Sequence, residues 1–330
     1  MDNVIISQIG NTPLIRLKQA SELTVCNIYG KAEYFNPGES VKDRAALFIV
    51  QNALKKKLIS KGGTIVEGTA GNTGIGLAIV CREYDLKLKV VIPRTQSIEK
   101  KETLKKLGAE LIEVDALPYI NPKNYIKQSK KIAEDLNKTS SKGVYWANQF
   151  DNIINTEAHI ETTAKEIWNQ TAGTVDGFTC AVGTGGTLAG VSVGLKNKNK
   201  NIKIALSDPM GSALYSHIKK NKLESTGSSI TEGIGNGRIT ENFDKALIDD
   251  AFQTDDVEAL NIVYELIEKQ KIILGGSSGI NIAGAIKLAN QMGPGKTIVT
   301  ILCDHGKRYA SKIFNKKFLK SKNLPVPKWL

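Results

Sequence analysis

Apolar positions along the chain follow two spacings. Short runs rich in Val, Ile and Leu predict buried strands, and apolar residues three or four positions apart predict amphipathic helices. The predicted strands comprise residues 14–17, 25–33, 64–67, 88–93, 110–114, 144–147, 178–182, 202–207 and 298–303. The predicted helices comprise residues 73–84, 98–107, 125–137, 157–170, 257–269 and 280–291, and two more begin near residues 41 and 187. This alternation predicts parallel sheets covered by helices, the α/β class.

Four of the strand-to-helix loops are unusually rich in glycine. They comprise residues 67–76, 183–187, 231–237 and 275–279. Loops of this kind lie at the carboxyl ends of parallel strands, where ligands bind. Glycine lets the backbone turn its N–H groups toward one point, and a helix that starts there favours phosphate or carboxylate. One such loop is explained by tight packing alone, whereas four in one chain favour a binding site.

A lysine stands at the start of a predicted helix. Pro37 and Gly38 predict a turn, and Ser40 lies three residues before Asp43, which is the spacing of a capping box with Ser40 as N-cap. Lys42 then lies in the first turn, where the positive end of the helix dipole favours a neutral, nucleophilic amine. Taken alone, the segment is better explained by a solvated lysine on an ordinary capped helix.

The ligand is constrained by what the loops lack. None has the spacing of a P-loop or the strict G-x-G-x-x-G of a dinucleotide fold. Two anion sites beside a nucleophilic lysine suit a ligand with one phosphate and one carbonyl, together with a substrate that has a carboxylate. Pyridoxal phosphate with an amino-acid substrate meets these requirements.

Composition excludes several other functions. The net charge is +12, but the lysines are scattered and no nucleic-acid motif occurs, so we expect no nucleic-acid partner. Four cysteines without a CxxC pair and three dispersed histidines predict neither a disulfide nor a metal site. No apolar run approaches the roughly 20 residues of a membrane span, and the N-terminus lacks a signal-peptide pattern, so we expect a cytoplasmic protein without membrane contact. Residues 318–330 are predicted to be a surface extension.

Seven segments carry a resemblance to a known family. In family order they are IGNTPLIRL, NPGESVKDR, EGTAGNTGIGLA, NQFDN, GTGGTLAG, EGIGNGRIT and GGSSGINIAGA. Each is weak alone, but the ordered set is specific. The chain resembles the cysteine synthase (O-acetylserine sulfhydrylase) and cystathionine β-synthase family of fold-type II pyridoxal-phosphate enzymes.

The resemblance implies an architecture and an assembly. Two parallel-sheet α/β domains would enclose pyridoxal 5'-phosphate in the cleft between them, as in the tryptophan synthase β fold. The large cofactor-binding domain would comprise residues 1–41 and 148–330, and the smaller, mobile substrate-binding domain residues 42–147. The family expectation is a homodimer, and the cleft of such enzymes can hold the C-terminal tail of serine acetyltransferase.

The resemblance also implies roles for particular residues. Lys42 would hold the cofactor covalently and move the α-proton, Asn72 would contact the cofactor's 3-hydroxyl, and Ser277 would face the pyridine nitrogen. The implied phosphate-binding residues are Gly183, Thr184, Gly185, Gly186 and Thr187. The implied substrate-binding residues are Thr69, Gly71, Asn72, Thr73 and Gln149 at the carboxylate, with Gly233 and Gly235 at the entrance.

The hydroxyl of Ser277 indicates a reaction type. A neutral group beside the pyridine nitrogen supports a weaker electron sink than a carboxylate would, so β-replacement is favoured over transamination. The resemblance implies that the reaction converts O-acetylserine and sulfide to cysteine and acetate through aminoacrylate. Two alternatives stay open: cystathionine β-synthase chemistry with serine and homocysteine, and a non-catalytic relative that binds a partner's C-terminal peptide. The presence of Lys42, Asn72 and Ser277 argues against the latter.

Three positions depart from the family pattern. Ala70 stands where many relatives have serine, Arg94 replaces a frequent acidic residue, and residues 300–308 have the sequence TILCDHGKR in place of a segment with proline and serine. His305 in that segment would either tune protonation near the site or serve the loop structurally, and the structural role is favoured.

Overall fold

The computed structural model describes residues 4–330, which form ten strands. They are β1 (Leu14–Arg16), β2 (Asn27–Ala32), β3 (Thr64–Gly68), β4 (Lys87–Pro93), β5 (Glu110–Val114), β6 (Val144–Trp146), β7 (Gly177–Cys180), β8 (Lys203–Pro209), β9 (Asp250–Thr254) and β10 (Thr297–Leu302). The larger sheet has the order β1-β2-β10-β7-β8-β9, and the smaller sheet has the order β5-β4-β3-β6.

Helices cover both sheets. They are α1 (Val4–Ser7), α2 (Lys18–Thr24), α3 (Lys42–Lys55), α4 (Asn72–Glu83), α5 (Ile98–Lys106), α6 (Tyr125–Asn137), α7 (Ile154–Ala158), α8 (Lys165–Gln170), α9 (Gly186–Lys198), α10 (Leu214–Lys220), α11 (Glu241–Asp244), α12 (Asp256–Gln270), α13 (Gly276–Met292) and α14 (Lys316–Ser321). A π-helical segment, His159–Ala164, joins α7 to α8. No helix within residues 4–330 is long and apolar enough to cross a membrane.

The strands are parallel except at one edge. All four strands of the smaller sheet run parallel, and in the larger sheet only β1 pairs antiparallel, with Leu14 opposite Lys31. Strand β10 lies inside the larger sheet between β2 and β7, and all six of its residues are buried. A strand buried on both faces has a mainly apolar sequence, and four of the six residues of β10 are Ile, Val or Leu. The predicted α/β class with two parallel sheets is confirmed.

Each sheet has its own apolar core. Helices α3 and α4 pack together on the smaller sheet through residues such as Ala46, Ile49 and Val80. The larger sheet is covered on one face around Phe178 and Leu206, and another cluster contains residues of β2, α13 and β10. The division of the chain at residues 42 and 147 stays a prediction.

The C-terminal segment is not the surface extension that its sequence predicted. Leu319 in α14 is fully buried, and the Trp329 ring meets the Tyr264 ring edge-on at 5.8 Å. Leu324, Val326 and Leu330 pack against the same cluster. The prediction was wrong because two prolines and a high lysine content masked apolar residues that cover α12.

Candidate active site

Lys42 is the first residue of α3, but the predicted capping box does not form. The residue before the helix is Val41, which has helical φ and ψ and no side-chain capping bond. The Lys42 N–H lies 3.4 Å from the Ser40 Oγ, a long contact. The Asp43 carboxylate instead accepts a hydrogen bond from the Gly38 N–H. Burial raises the pKa of Asp43 to about 7, despite this bond.

The end of β10 fixes the start of α3. The Val41 N–H donates to the Cys303 carbonyl at 2.9 Å, and Ser40 forms an antiparallel bridge with Asp304. These contacts take the place of a local cap. They place Lys42 at the carboxyl end of an interior strand of the larger sheet, where ligands bind in α/β folds.

Lys42 lines a cavity of about 810 Å³ that most of the predicted site residues share. Those that line it are Lys42, Thr69, Asn72, Thr73, Gln149, Gly183, Thr184, Gly233, Gly235 and Ser277. Gly185 and Thr187 line a smaller adjoining space that Lys42 also contacts. Gly71 and Gly186 line neither of these two spaces, although residues on both sides of each glycine do. The volume lies within the usual range of small-molecule sites, roughly 300–1,000 Å³.

The loop before α9 is shaped for an anion. Its N-cap, Gly185, has φ +93° and makes no side-chain capping bond, and in the first turn of this 13-residue helix the Gly186 N–H makes a long bond to the Thr184 Oγ1, at 3.3 Å. Neighbouring backbone packs closely around the loop: a Cβ on Gly185 would lie 2.5 Å from the Phe243 nitrogen, and one on Gly183 would lie 2.2 Å from the Gly233 carbonyl oxygen. These features fit the phosphate of pyridoxal phosphate.

A second set of donors surrounds the start of α4. The N-cap, Gly71, has φ +126° and no side-chain capping bond, and its N–H donates to the Thr69 Oγ1 at 3.1 Å. The Thr73 hydroxyl donates to the Gln149 Oε1 at 2.5 Å. Uncapped first-turn N–H groups with two hydroxyls and an amide form a site suited to a carboxylate.

The surroundings of Ser277 are neutral. This residue lies in the first turn of α13 and is 5 % exposed. Next to it, the Cys303 thiol accepts a hydrogen bond from the Asn281 Nδ2 at 3.1 Å. Burial raises the pKa of Cys303 to about 11, so this thiol is uncharged at neutral pH. A hydroxyl and a neutral thiol fit an unprotonated pyridine nitrogen better than a pyridinium.

Two side chains hold the Asn72 amide. Its Nδ2 donates to the Asp304 Oδ2 at 2.7 Å, and its Oδ1 accepts from the Arg308 Nη1 at 2.7 Å. Sequence reasoning did not identify Asp304 or Arg308. The only signal in the sequence was the departure of residues 300–308 from the family pattern, and the prediction drawn from it concerned His305 alone.

His305 points to the loop and not to the cavity. Its Nδ1 accepts a hydrogen bond from the Lys307 N–H at 3.1 Å, and its ring meets the Tyr34 ring edge-on at 6.4 Å. It is absent from the residues that line the cavity, and burial lowers its pKa. The contacts support the structural role.

A buried ion pair lies at the cavity entrance and was not predicted. The Lys100 Nζ lies 2.6 Å from the Glu232 Oε2, with side chains only 2 % and 6 % exposed. The other Glu232 oxygen pairs with Lys312. Burial lowers the pKa of Lys100, although the Glu232 carboxylate opposes that effect. Lys100 belongs to α5 beside the smaller sheet, so the pair links that helix to the glycine-rich loop 231–237.

Comparison with known proteins places the chain in a family. Residues 5–304 match a family described as pyridoxal-phosphate dependent enzyme. The chain is 50 % identical over 321 residues to cysteine synthase 1 of Neurospora crassa, covering 96 % of this chain and 84 % of that protein. It is 48 % identical over 335 residues to cysteine synthase 1 of Emericella nidulans, covering 99 % and 89 %.

The solved structures agree. The O-acetylserine dependent cystathionine beta-synthase from Helicobacter pylori has a TM-score of 0.84 and 32 % identity, covering 93 % of this chain and 97 % of that one. Pyridoxal phosphate is therefore the cofactor of this enzyme. The chain belongs to the fold-type II pyridoxal-phosphate dependent enzymes, in the family of the cysteine synthases and cystathionine β-synthases.

Proposed function

We propose that this enzyme replaces the acetoxy group of O-acetyl-L-serine with sulfide and releases L-cysteine and acetate. The observation that carries the proposal is the grouping of four features around one cavity: the Lys42 amine, the glycine-rich start of α9, the uncapped start of α4 and the Ser277 hydroxyl. They correspond to the carbonyl and the phosphate of the cofactor, the carboxylate of the substrate and the pyridine nitrogen.

The residues that would hold the cofactor are those that the family resemblance implies. Lys42 would bind its carbonyl carbon, the loop 183–187 its phosphate, Asn72 its 3-oxygen and Ser277 its ring nitrogen. Bound there, pyridoxal phosphate supplies an electron sink that stabilises negative charge at the substrate's α-carbon. The neutral surroundings of Ser277 keep that sink moderate, which favours loss of a group from the β-carbon.

The chain's own groups bind the substrate and move one proton. Thr69, Thr73, Gln149 and the first-turn N–H groups of α4 would bind the α-carboxylate and fix the orientation of the α-carbon. Once the substrate's amino group has displaced it from the cofactor, the neutral Lys42 amine would remove the α-proton, the carbon–oxygen bond would break to release acetate, and sulfide would form the carbon–sulfur bond. Lys42 would then return its proton to the α-carbon.

Closure of the entrance is part of this proposal. Gly233 and Gly235 both have positive φ, near +80°, and lie in the loop that borders the cavity. We propose that this loop and the segment 42–147 approach each other over bound substrate, which would exclude water from the reacting atoms.

A donor-and-thiol assay tests the substrate assignment. The cofactor-loaded enzyme is given O-acetylserine or serine with sulfide or homocysteine, and the products are identified by mass spectrometry. We expect cysteine from O-acetylserine and sulfide, and a change in the cofactor's visible absorption with O-acetylserine alone. Lys42→Ala should abolish both, whereas Lys55→Ala, an exposed lysine at the other end of α3, should change neither. An unchanged spectrum with O-acetylserine would contradict the proposal and favour a non-catalytic binder.

Cystathionine synthesis is the second candidate. The similarity to the Helicobacter pylori enzyme supports it, as does the size of the cavity, which leaves room for a second amino acid. Two cationic side chains that line the cavity, Arg238 and Lys127, both lie over the Tyr119 ring, at 4.3 Å and 4.9 Å from its centroid. Cystathionine from homocysteine at a rate above that of cysteine from sulfide would favour this candidate.

Partners, assembly and compartment are proposed on family grounds. We propose a homodimer and a cytoplasmic location, and binding of the C-terminal tail of serine acetyltransferase with its carboxylate at the start of α4. Sedimentation analysis tests the homodimer, and cell fractionation tests the location. A fluorescence titration with a peptide of that tail tests the binding. Competition between the peptide and O-acetylserine is the expected result of the titration.

A further inference from the structure

We propose that Asp304 and Arg308 are positioning residues that fix the orientation of the Asn72 amide, so that it presents an N–H group to the cofactor's 3-oxygen. The proposal rests on the role of Asn72 within the proposed function. It adds two residues from the segment after β10, and it assigns them an effect on the protonation of the cofactor.

The chemistry of the two partners dictates the orientation. The carboxylate of Asp304 only accepts hydrogen bonds, and the guanidinium of Arg308 only donates them. The Asn72 Nδ2 faces the carboxylate and its Oδ1 faces the guanidinium, each at 2.7 Å. A flipped amide would place oxygen against oxygen and N–H against N–H. The arrangement is therefore self-consistent in one orientation only.

One donor of Asn72 is left for the cavity. The amide nitrogen carries two N–H groups, of which Asp304 takes one, while the amide oxygen is occupied by Arg308. Asn72 lines the cavity, so the group that it offers to a ligand is an N–H. A hydrogen bond donated to the 3-oxygen stabilises its anionic form over the neutral hydroxyl.

The two positioning residues are themselves held in place. Asp304 is fully buried, and its Oδ2 also accepts from the Tyr309 hydroxyl at 2.6 Å. A Cβ on Gly275 would lie 2.3 Å from the Asp304 Oδ1, so only glycine leaves room for this carboxylate. Arg308 is 3 % exposed and also donates to the Gly38 carbonyl, in the turn before Lys42. Rotation of either side chain would leave buried polar groups unpaired.

The test measures the visible spectrum of the cofactor-loaded enzyme without substrate at one fixed pH. The form with an anionic 3-oxygen absorbs at longer wavelength than the form with a neutral hydroxyl. Removing one partner, with Asp304→Ala or Arg308→Met, should lower the ratio of long- to short-wavelength absorption roughly three- to tenfold, as expected for loss of one oriented hydrogen bond. Asn72→Ala should lower it by at least as much.

A double-substitution cycle separates positioning from general disturbance. In the Asn72→Ala background, Asp304→Ala and Arg308→Met should leave the ratio within twofold, because they act through the amide. Ser311→Ala is the matched control, since Ser311 lies in the same segment and donates to Glu99 at 2.9 Å without contacting Asn72. It should leave the ratio unchanged. Equal effects of Arg308→Met with and without the Asn72 side chain would overturn the proposal.

A conservative variant shows whether the spectral change comes from the lost hydrogen bond or from a disturbed fold. Arg308→Lys keeps a donor beside the Asn72 oxygen and should keep the ratio within twofold, whereas Arg308→Met should not. Equal ratios for these two variants would also overturn the proposal. Turnover of O-acetylserine with sulfide is measured on the same samples. A shifted spectrum in an enzyme that lacks this turnover would leave the positioning role standing and reject only the substrate assignment.

Discussion

Replacing Glu232 with glutamine removes the charge that pairs with two lysines at the cavity entrance. Its Oε2 lies 2.6 Å from the Lys100 Nζ, and its other oxygen pairs with Lys312. Lys100 is almost fully buried and also lies 4.4 Å from the centroid of the Tyr309 ring. Glu232→Gln therefore leaves a buried ammonium group with a neutral amide, an aromatic face and no paired carboxylate.

The size of the effect follows from the burial. Removing one partner of a buried ion pair costs about 3–5 kcal/mol, because the other charge stays desolvated. Lys100 belongs to α5 beside the smaller sheet, and Glu232 to a loop between β8 and β9 of the larger one. Separation of the two elements would return Lys100 to water and free α5 to unfold locally, without unfolding either sheet. The cost should thus appear as a roughly 100- to 4,000-fold increase in the ratio of open to closed molecules.

Amide hydrogen exchange measures that opening. With cofactor at one saturating concentration, exchange in α5 should accelerate strongly in Glu232→Gln, while β7 and β10 stay protected. The double variant Lys100→Met with Glu232→Gln removes the buried charge as well and should recover most of the protection. Exchange in α5 within threefold of the unsubstituted enzyme would refute the reasoning, since it would mean that the pair contributes little to closure.

Three further predictions concern single residues. Gly185→Ala should weaken cofactor binding at least tenfold by equilibrium dialysis, because φ is +93° and the added Cβ would lie 2.5 Å from the Phe243 nitrogen; tight binding would contradict the assignment of this loop to the phosphate. Burial raises the pKa of Glu67 to about 8 and that of Asp43 to about 7, so the folded chain binds these protons more tightly than the unfolded chain does. The free energy of unfolding should therefore fall as the pH rises from about 4 to 8. Denaturant unfolding of Glu67→Gln should show a pH slope shallower by about 1.4 kcal/mol per pH unit, and an unchanged slope would reject the buried neutral acid. His305→Gln should keep turnover and its pH profile, since the ring contacts the loop and Tyr34; an altered profile would restore the catalytic alternative.

The alternation of strands and helices was predictable because both sheets are parallel. Parallel strands are buried on both faces, so β4, β7, β8 and β10 contain short runs of mostly apolar residues, and their bounds differ from the predicted ones by only a few residues. Helix α2 was missed because it has seven residues and ends at Val25 with φ +55°, where no glycine marks the end. Strand β9 was missed because its sequence, DAFQT, has few apolar residues.

The glycine-rich loops were predictable for a different reason. Where another part of the chain approaches the backbone closely, only glycine fits, so the sequence shows a glycine there. A Cβ at Gly183, Gly185 or Gly186 would lie within 2.5 Å of other atoms. Such glycines reveal where neighbouring atoms pack closely against the backbone. They do not reveal which hydrogen-bond donors remain free to bind a ligand. Gly186 accordingly supports the site through its contact with Asn155 and lines no part of the cavity.

The orientation of polar side chains had no comparable local signal. Ser40 and Asp43 have the spacing of a capping box, yet Asp43 bonds to Gly38, and Ser40 pairs with a residue at the end of β10. Local spacing failed here because a tertiary contact fixes the start of α3 in place of a cap. The same strand end supplies the partners of Asn72, which lie 232 and 236 positions away in the chain. One segment therefore both seats Lys42 and supplies the two partners of the Asn72 amide, so the placement of both side chains depends on contacts that no local spacing in the sequence reveals.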